Sequence, residues 1–282
     1  MKPLYTITDK VLVLVASISE KIGEINAFHL YKPATELRKK NRIKTIQSSL
    51  EIEGNTLTEE QITALLENKR VIAPQKDILE VQNAIKVYEQ LRQFNPYQLK
   101  DLVKAHSVLM NGLIDNPGKL RTTNVGIVKG SKVEHIAPNG TMVNGLIKDL
   151  FHYLKNGNDL ILIKSCVFHY EFEFMHPFTD GNGRMGRLWQ TLILMQQYPV
   201  FEYLPVESLI KQKQNEYYNK LSESDKKGNS TPFIEFMLGI ISESLDGLLQ
   251  SQSNPSHRRQ NPPVQRQNRQ KQIQPKRLYA KL

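Results

Sequence analysis

Apolar positions recur at steps of three and four along most of this chain. The pattern predicts helices over residues 8–27, 37–53, 58–68, 76–93, 97–112, 141–155, 159–175, 183–197, 206–223 and 231–249. Ile161, Phe168, Phe172 and Met175 mark one apolar stripe, and Met185, Leu188, Leu192 and Met195 another. One segment reads differently. Val125-Gly126-Ile127-Val128-Lys129 and Lys132-Val133-Glu134-His135-Ile136 flank Gly130-Ser131, and β-branched residues on both sides of such a pair predict a hairpin.

The junction between the two stripes carries the candidate chemistry. His176-Pro177-Phe178-Thr179-Asp180-Gly181-Asn182-Gly183-Arg184-Met185-Gly186-Arg187 gathers an imidazole, a carboxylate, a glycine-rich turn and two guanidinium groups. Pro177 disfavours the α conformation at His176, so the first helix should stop there and leave the imidazole at the mouth of the turn. A helix starting after the glycines points its free N–H groups and positive dipole end at whatever sits in front of it. Two arginines near that end oppose the dipole, which suits them as ligands of a polyanion. Together the groups read as a phosphate cradle with a base beside it. A face built from His169, Glu173 and His176 could instead offer metal ligands, but nothing nearby completes a site, and His169 reads as a packed or hydrogen-bonded helix residue. Dinucleotide-type and Walker-type phosphate signatures are not found in the sequence.

This segment resembles the active-site motif of the Fic family, H-P-F-x-[DE]-G-N-G-R-x-x-R, at every defined position from His176 to Arg187. The resemblance implies an all-α fold class, a helical bundle with a small β-hairpin flap over the active site, and transfer of AMP from ATP to a protein hydroxyl. In that reading His176 is the general base, with an intrinsic pKa near 6.5 that allows a neutral imidazole. Asp180 is a hard oxygen ligand for Mg²⁺. Gly181, Asn182 and Gly183 hold phosphate oxygens through N–H groups and the Asn amide, while Arg184 and Arg187 neutralise the β- and γ-phosphates. Phe178 is a buried anchor of the loop. Gly183 also counts, because family members that phosphorylate carry Lys there.

Upstream, Ser49-Leu50-Glu51-Ile52-Glu53-Gly54 places a hydroxyl and a carboxylate at i and i+4, then Gly as a helix stop. It resembles the family's inhibitory signature [ST]-x-x-x-E-[GN]. Glu53 should then pair with Arg187 and withhold it from the γ-phosphate, with Ser49 part of the same inhibitory segment. Gly118-x-x-Arg121 and Thr122-Thr123-Asn124-Val125 resemble the entry to the flap, whose Val125, Gly126, Ile127 and Val128 lie over the site and align a target segment by main-chain pairing. Tyr218 is either an adenosine contact or a core aromatic. De-AMPylation with Glu53 orienting a water is a further activity the resemblance allows.

Composition sets the frame. The 282 residues carry a formal net charge of +10. Arg258, Arg259, Arg266, Arg269, Lys271, Lys276, Arg277 and Lys281, with no acid after Ser251, place +8 of it in the last 32 residues and leave +2 on the body. This Gln- and Pro-rich tail has too few apolar residues to fold alone. A solvated tail is the preferred reading, with a nucleic-acid arm on a non-catalytic regulatory protein as the alternative. The resulting organisation is an N-terminal helical extension with the inhibitory segment over 1–70, a catalytic domain over 75–250 and a basic tail over 251–282. Cys166 is single, which excludes an intrachain disulfide. No run approaches the roughly 18 apolar residues of a membrane span and no secretory pattern opens the chain, so a cytoplasmic protein is expected. The expected partners are ATP and Mg²⁺ and a target protein with a Ser, Thr or Tyr acceptor; a homodimer is left open.

Overall fold

In the computed structural model, which describes residues 3–28, 35–129 and 132–253, the chain is predominantly helical. Helices α1 (Asp9–Ala27), α2 (Thr35–Ile52), α3 (Glu59–Leu66), α4 (Gln75–Glu89) and α5 (Leu99–Leu109) precede two strands, and α6 (Val143–Asn156), α7 (Ile161–Met175), α8 (Asn182–Met195), α9 (Val206–Gln212), α10 (Gln214–Lys227) and α11 (Thr231–Ser253) follow. Strands β1 (Gly126–Lys129) and β2 (Lys132–Ile136) pair antiparallel, with a register shift between Ile127 and Val128. The tail from 254 onward lies outside the described residues, as does the Gly130-Ser131 pair.

Helices α7 and α8 form the centre. In α7, Phe168, Val167, Cys166, His169 and Phe172 are all buried, so the helix is covered well beyond the single apolar stripe marked in its sequence, and buried Ser165, His169 and Glu173 share that interior. It packs against α8, α6, α10 and α11. Trp189 of α8 is fully buried and donates its indole N–H to Pro96 O at 3.1 Å, which removes the cost of an orphaned donor. Around this centre α1 lies along α11, burying Val11, Ile18, Ile22 and Ile25 from one helical face. Thr8 caps that helix by accepting from Val11 N at 3.2 Å.

Helix α2 carries buried Ile43, Ile46 and Leu50 beside buried Asn41, Thr45, Ser48 and Ser49. It is packed against α9, α4 and α8, so its polar positions face protein partners. Gly54, with φ +93°, ends the turn that follows it.

Two expected helices are interrupted. The span 206–223 divides at Lys213 into α9 and α10. The break lets Gln214 donate to Ile52 O at 3.0 Å and Lys211 to Glu51 O at 3.3 Å, satisfying carbonyls at the end of α2 that the helix itself leaves open. The span 76–93 closes as α4 at Glu89 and continues as a 3₁₀ turn over Leu91–Gln93, after which Asn95-Pro96 stops it. Among the described residues no helix is long and apolar enough to cross a membrane.

Candidate active site

Helix α7 ends in a corner. His176 adopts a left-handed conformation (φ 45°, ψ 66°), and its backbone N–H still bonds Phe172 O at 3.0 Å. Its Nδ1 hydrogen-bonds Glu173 O. A carbonyl can only accept, so Nδ1 donates in this bond and turns the Nε2 edge of the ring away from Glu173 O.

The loop from Pro177 to Gly181 is held from inside. Phe178 is buried and stacks on His106 of α5 at 3.6 Å between ring centroids. His106 Nδ1 accepts from Gly118 N at 2.8 Å, and its Nε2 bonds Asp180 O at 2.9 Å. Burial lowers its pKa to about 4, so it is a neutral bridge between α5 and the loop. Nothing in its isolated position on an amphipathic stripe marked it in the sequence.

Asn182 departs from expectation in one respect. Its side-chain amide closes the loop, accepting from Phe178 N and donating to Phe178 O, both at 2.9 Å, and so is occupied within the protein. Gly181 (φ +82°) caps α8, and Met185 N to Gly181 O is the first intrahelical bond, so the N–H groups of Asn182, Gly183 and Arg184 precede it.

Both arginines are buried and both meet carboxylates. Arg184 lies 3.2 Å from Glu80 of α4 and 3.3 Å from Asp180. Glu80, in turn, accepts from Asn55, two residues past Glu53, at 2.8 Å. Glu80 and Asn55 were not singled out in the sequence, since a polar residue on a helix face or in a connecting turn ordinarily meets water.

Arg187 donates from Nη2 to Glu53 Oε1 at 2.8 Å and to Ser49 O at 2.9 Å, and from Nε to Ser49 Oγ at 3.2 Å. Its side chain is 1% exposed and that of Glu53 31%. Burial works against the charge on Arg187, but Glu53, with smaller contributions from Tyr217 and Glu173, offsets it, and together they hold the guanidinium above the ordinary arginine range. The carboxylate also sits over the first turn of α8: a Cβ at Gly183 would lie 2.4 Å from Glu53 Oε1.

Glu53, His176, Gly183, Arg187 and Tyr218 line one cleft, which continues to Asp225 of α10. Tyr218 is half-buried and reaches the cleft wall, whereas its neighbour Tyr217 is buried and bonds His169 Nε2 at 3.0 Å. His169 Nδ1 pairs with Gln190 Oε1 at 2.7 Å, and burial lowers its pKa to about 3. Both imidazole nitrogens are thus engaged by uncharged partners, and no group of three or more His, Cys, Asp or Glu side chains that could hold a metal occurs among the described residues. Val125 and Gly126 enter β1, Ile127 and Val128 follow in the strand, and the segment's base is joined to the site through Arg121.

Residues 96–194, from before α5 through α8, match the model of the Fic/DOC family. The crystal structure of a Fic family protein from Desulfovibrio desulfuricans G20 superposes with a TM-score of 0.86 at 45% identity, covering 90% of this chain and 78% of that one. The chain belongs to the Fic family. Among curated relatives, the protein adenylyltransferase Fic of Drosophila grimshawi is 30% identical over 244 residues, covering 82% of this chain and 48% of its own length. The protein adenylyltransferase fic-1 of Caenorhabditis elegans is 27% identical over 273 residues, covering 88% of this chain and 51% of its own. This Fic chain therefore spans about half the length of the curated relatives it matches.

Proposed function

We propose that this Fic protein is an autoinhibited protein adenylyltransferase that moves AMP from ATP to a Ser, Thr or Tyr hydroxyl of a target protein. The observation that carries the reading is the juxtaposition of His176, its ring held through Nδ1, with the first turn of α8 and a charged, buried Arg187 in one cleft.

The chemistry assigned to each group follows from its position. Target oxygen attacks the α-phosphorus as its proton passes to His176 Nε2, and the bond from the α-phosphorus to the bridging oxygen breaks, releasing pyrophosphate. Backbone N–H groups of Asn182 and Gly183 receive phosphate oxygens at the positive end of α8, and that of Gly181, which donates to Asp180 Oδ1, joins them when that bond opens. Arg187 takes the γ-phosphate once Glu53 withdraws; Arg184, steadied by Glu80, faces the β-phosphate. Asp180, whose side chain is 55% exposed at the loop, fits Mg²⁺ as a single hard carboxylate, and the ion when bound would neutralise phosphate charge. Val125 to Val128 act as the flap that aligns the target by strand pairing, and Tyr218 contacts the adenosine.

Glu53 and Ser49 form the brake. While they hold Arg187, ATP binds without its α-phosphate in line for attack. The same carboxylate can orient a water for the reverse, de-AMPylating reaction. By role, residues 1–70 bring the brake, 75–250 the catalytic machinery, and the basic tail over 251–282 is an appendage to it. A cytoplasmic setting suits the use of ATP.

Transfer from ATP labelled at the α or the γ position to the Glu53→Gly protein tests this reading. Covalent α-label without γ-label supports it; γ-label, or α-label that persists after His176→Ala, contradicts it.

A further inference from the structure

Arg121 is 3% exposed, and each hydrogen bond of its guanidinium among the described residues ends on a backbone carbonyl. Nε donates to His176 O at 2.6 Å, Nη1 to Thr123 O at 2.6 Å, and Nη2 to Pro138 O at 2.7 Å and Met175 O at 3.0 Å. Its backbone N–H adds Pro177 O at 2.9 Å. One residue thus satisfies three successive carbonyls, 175 to 177, at the end of α7. Those carbonyls have no intrahelical donor and lie at the negative end of the helix dipole, where a cation is favoured.

The other two carbonyls frame the strand pair. Thr123 precedes β1 and Pro138 follows β2, so a single planar group ties both ends of the segment to the corner that holds the imidazole. The two ends also touch: Gly140 N donates to Asn124 Oδ1 at 3.1 Å, and a Cβ at Gly140 would lie 2.2 Å from the backbone of Thr122. Only glycine permits that approach. His176 needs such support. A non-glycine residue in the left-handed region is strained and persists where its surroundings over-determine it.

We propose that Arg121 is a positioning residue that fixes the separation between the strand segment 123–138 and His176, and so sets the register of the acceptor chain against the base. The inference rests on the adenylyltransferase reading for its functional half. Its structural half stands alone: a guanidinium is needed because its coplanar N–H groups diverge from three nitrogens toward separate carbonyls, which the single nitrogen of an ammonium cannot do. The phosphate cradle of Asn182 to Arg184 is outside this set of bonds, so nucleotide affinity is independent of it.

The test uses the full chain with Glu53→Gly as parent, compared with Arg121→Ala and Arg121→Lys in that background. The acceptor is the full chain carrying His176→Ala, supplied at increasing concentration with α-labelled ATP. Arg121→Ala should lose about 100-fold in kcat/KM for the acceptor, the scale of a misplacement near 1 Å. KM for the acceptor should rise, the ATP dissociation constant should stay within about twofold, and free guanidinium should restore part of the rate. Arg121→Lys should fall between the two and decides the matter if the alanine variant does not fold. A kcat/KM within about twofold of the parent, or a loss confined to ATP affinity, would overturn the proposal.

Amide hydrogen exchange supplies a readout independent of activity. Exchange at Thr123, Asn124, Ala137 and Gly140 should accelerate in the Arg121 variants, and unchanged exchange would refute the clamp. If the parent transfers no label, the adenylyltransferase reading fails, and exchange alone decides whether Arg121 joins the two elements.

Discussion

Glu53 Oε1 is the oxygen that both pairs with Arg187 Nη2 at 2.8 Å and stands over Gly183. One atom therefore occupies the guanidinium and the mouth of the α8 N-terminus. Glu53→Gly should leave Arg187 with only Ser49 as partner, lowering apo stability by about 1–3 kcal/mol, below the value for a fully buried pair because Glu53 is 31% exposed. ATP should then raise the melting temperature of the variant more than that of the wild type, since phosphate replaces the lost carboxylate. Equal shifts in a thermal melt would count against it.

Ser49 contributes a hydroxyl and a carbonyl to the same guanidinium. Ser49→Ala removes only the first, a hydrogen bond to a charged group worth about 1.5–3 kcal/mol. Automodification should rise above wild type but stay below Glu53→Gly, and adding Ser49→Ala to Glu53→Gly should change little. A double-mutant cycle on initial rates checks the non-additivity.

The motif was legible in the sequence because its residue types are contiguous and each suits a different part of the proposed phosphate site. Glu53 and Ser49 were legible for the opposite reason: a short signature at a helix end gained meaning only beside the motif. Glu80, Asn55 and His106 were not legible. Each sits far away in the chain, and its role comes from a neighbour that folding supplies. The break at Lys213 escaped because periodicity reports an apolar face, whereas the helix is divided by the open carbonyls of α2 that Lys211 and Gln214 satisfy. The amide of Asn182 looked like a phosphate ligand, yet the same geometry that makes it useful at a tight turn commits it to Phe178.

Glu80 is 7% exposed and balances buried Arg184, whose Nε has no hydrogen-bond partner among the described residues. Glu80→Ala should destabilise by about 3–5 kcal/mol, the range for stripping one member of a buried pair. Glu80→Gln keeps the bond to Asn55 while removing the charge, and should fold better than Glu80→Ala yet lose activity in the Glu53→Gly background. Urea unfolding of the two variants, with label transfer, separates the effects.

Glu207 of α9 is 1% exposed, and among the described residues no other residue donates a hydrogen bond to either of its buried carboxylate oxygens. Burial raises its pKa to about 7. A native value above the unfolded one means that the folded state binds more protons. The carboxyl is tolerated at low pH, and stability declines as pH rises from the unfolded pKa through 7, by up to about 1.4 kcal/mol for each pH unit in that interval. Glu207→Gln should therefore raise stability at pH 8 and change little at pH 4.5. A pH series of urea midpoints measures this, and an equal effect at both ends would refute it.

The central claim is that Glu53 restrains a competent His176. Initial rates of α-label incorporation from ATP and Mg²⁺, measured side by side for wild type, Glu53→Gly and Glu53→Gly/His176→Ala, test it most directly. The account predicts incorporation by Glu53→Gly at least about tenfold above wild type, as expected for roughly 1.4 kcal/mol or more of restraint, and none by the double variant. Equal rates for wild type and Glu53→Gly, or retained incorporation in the double variant, would contradict it.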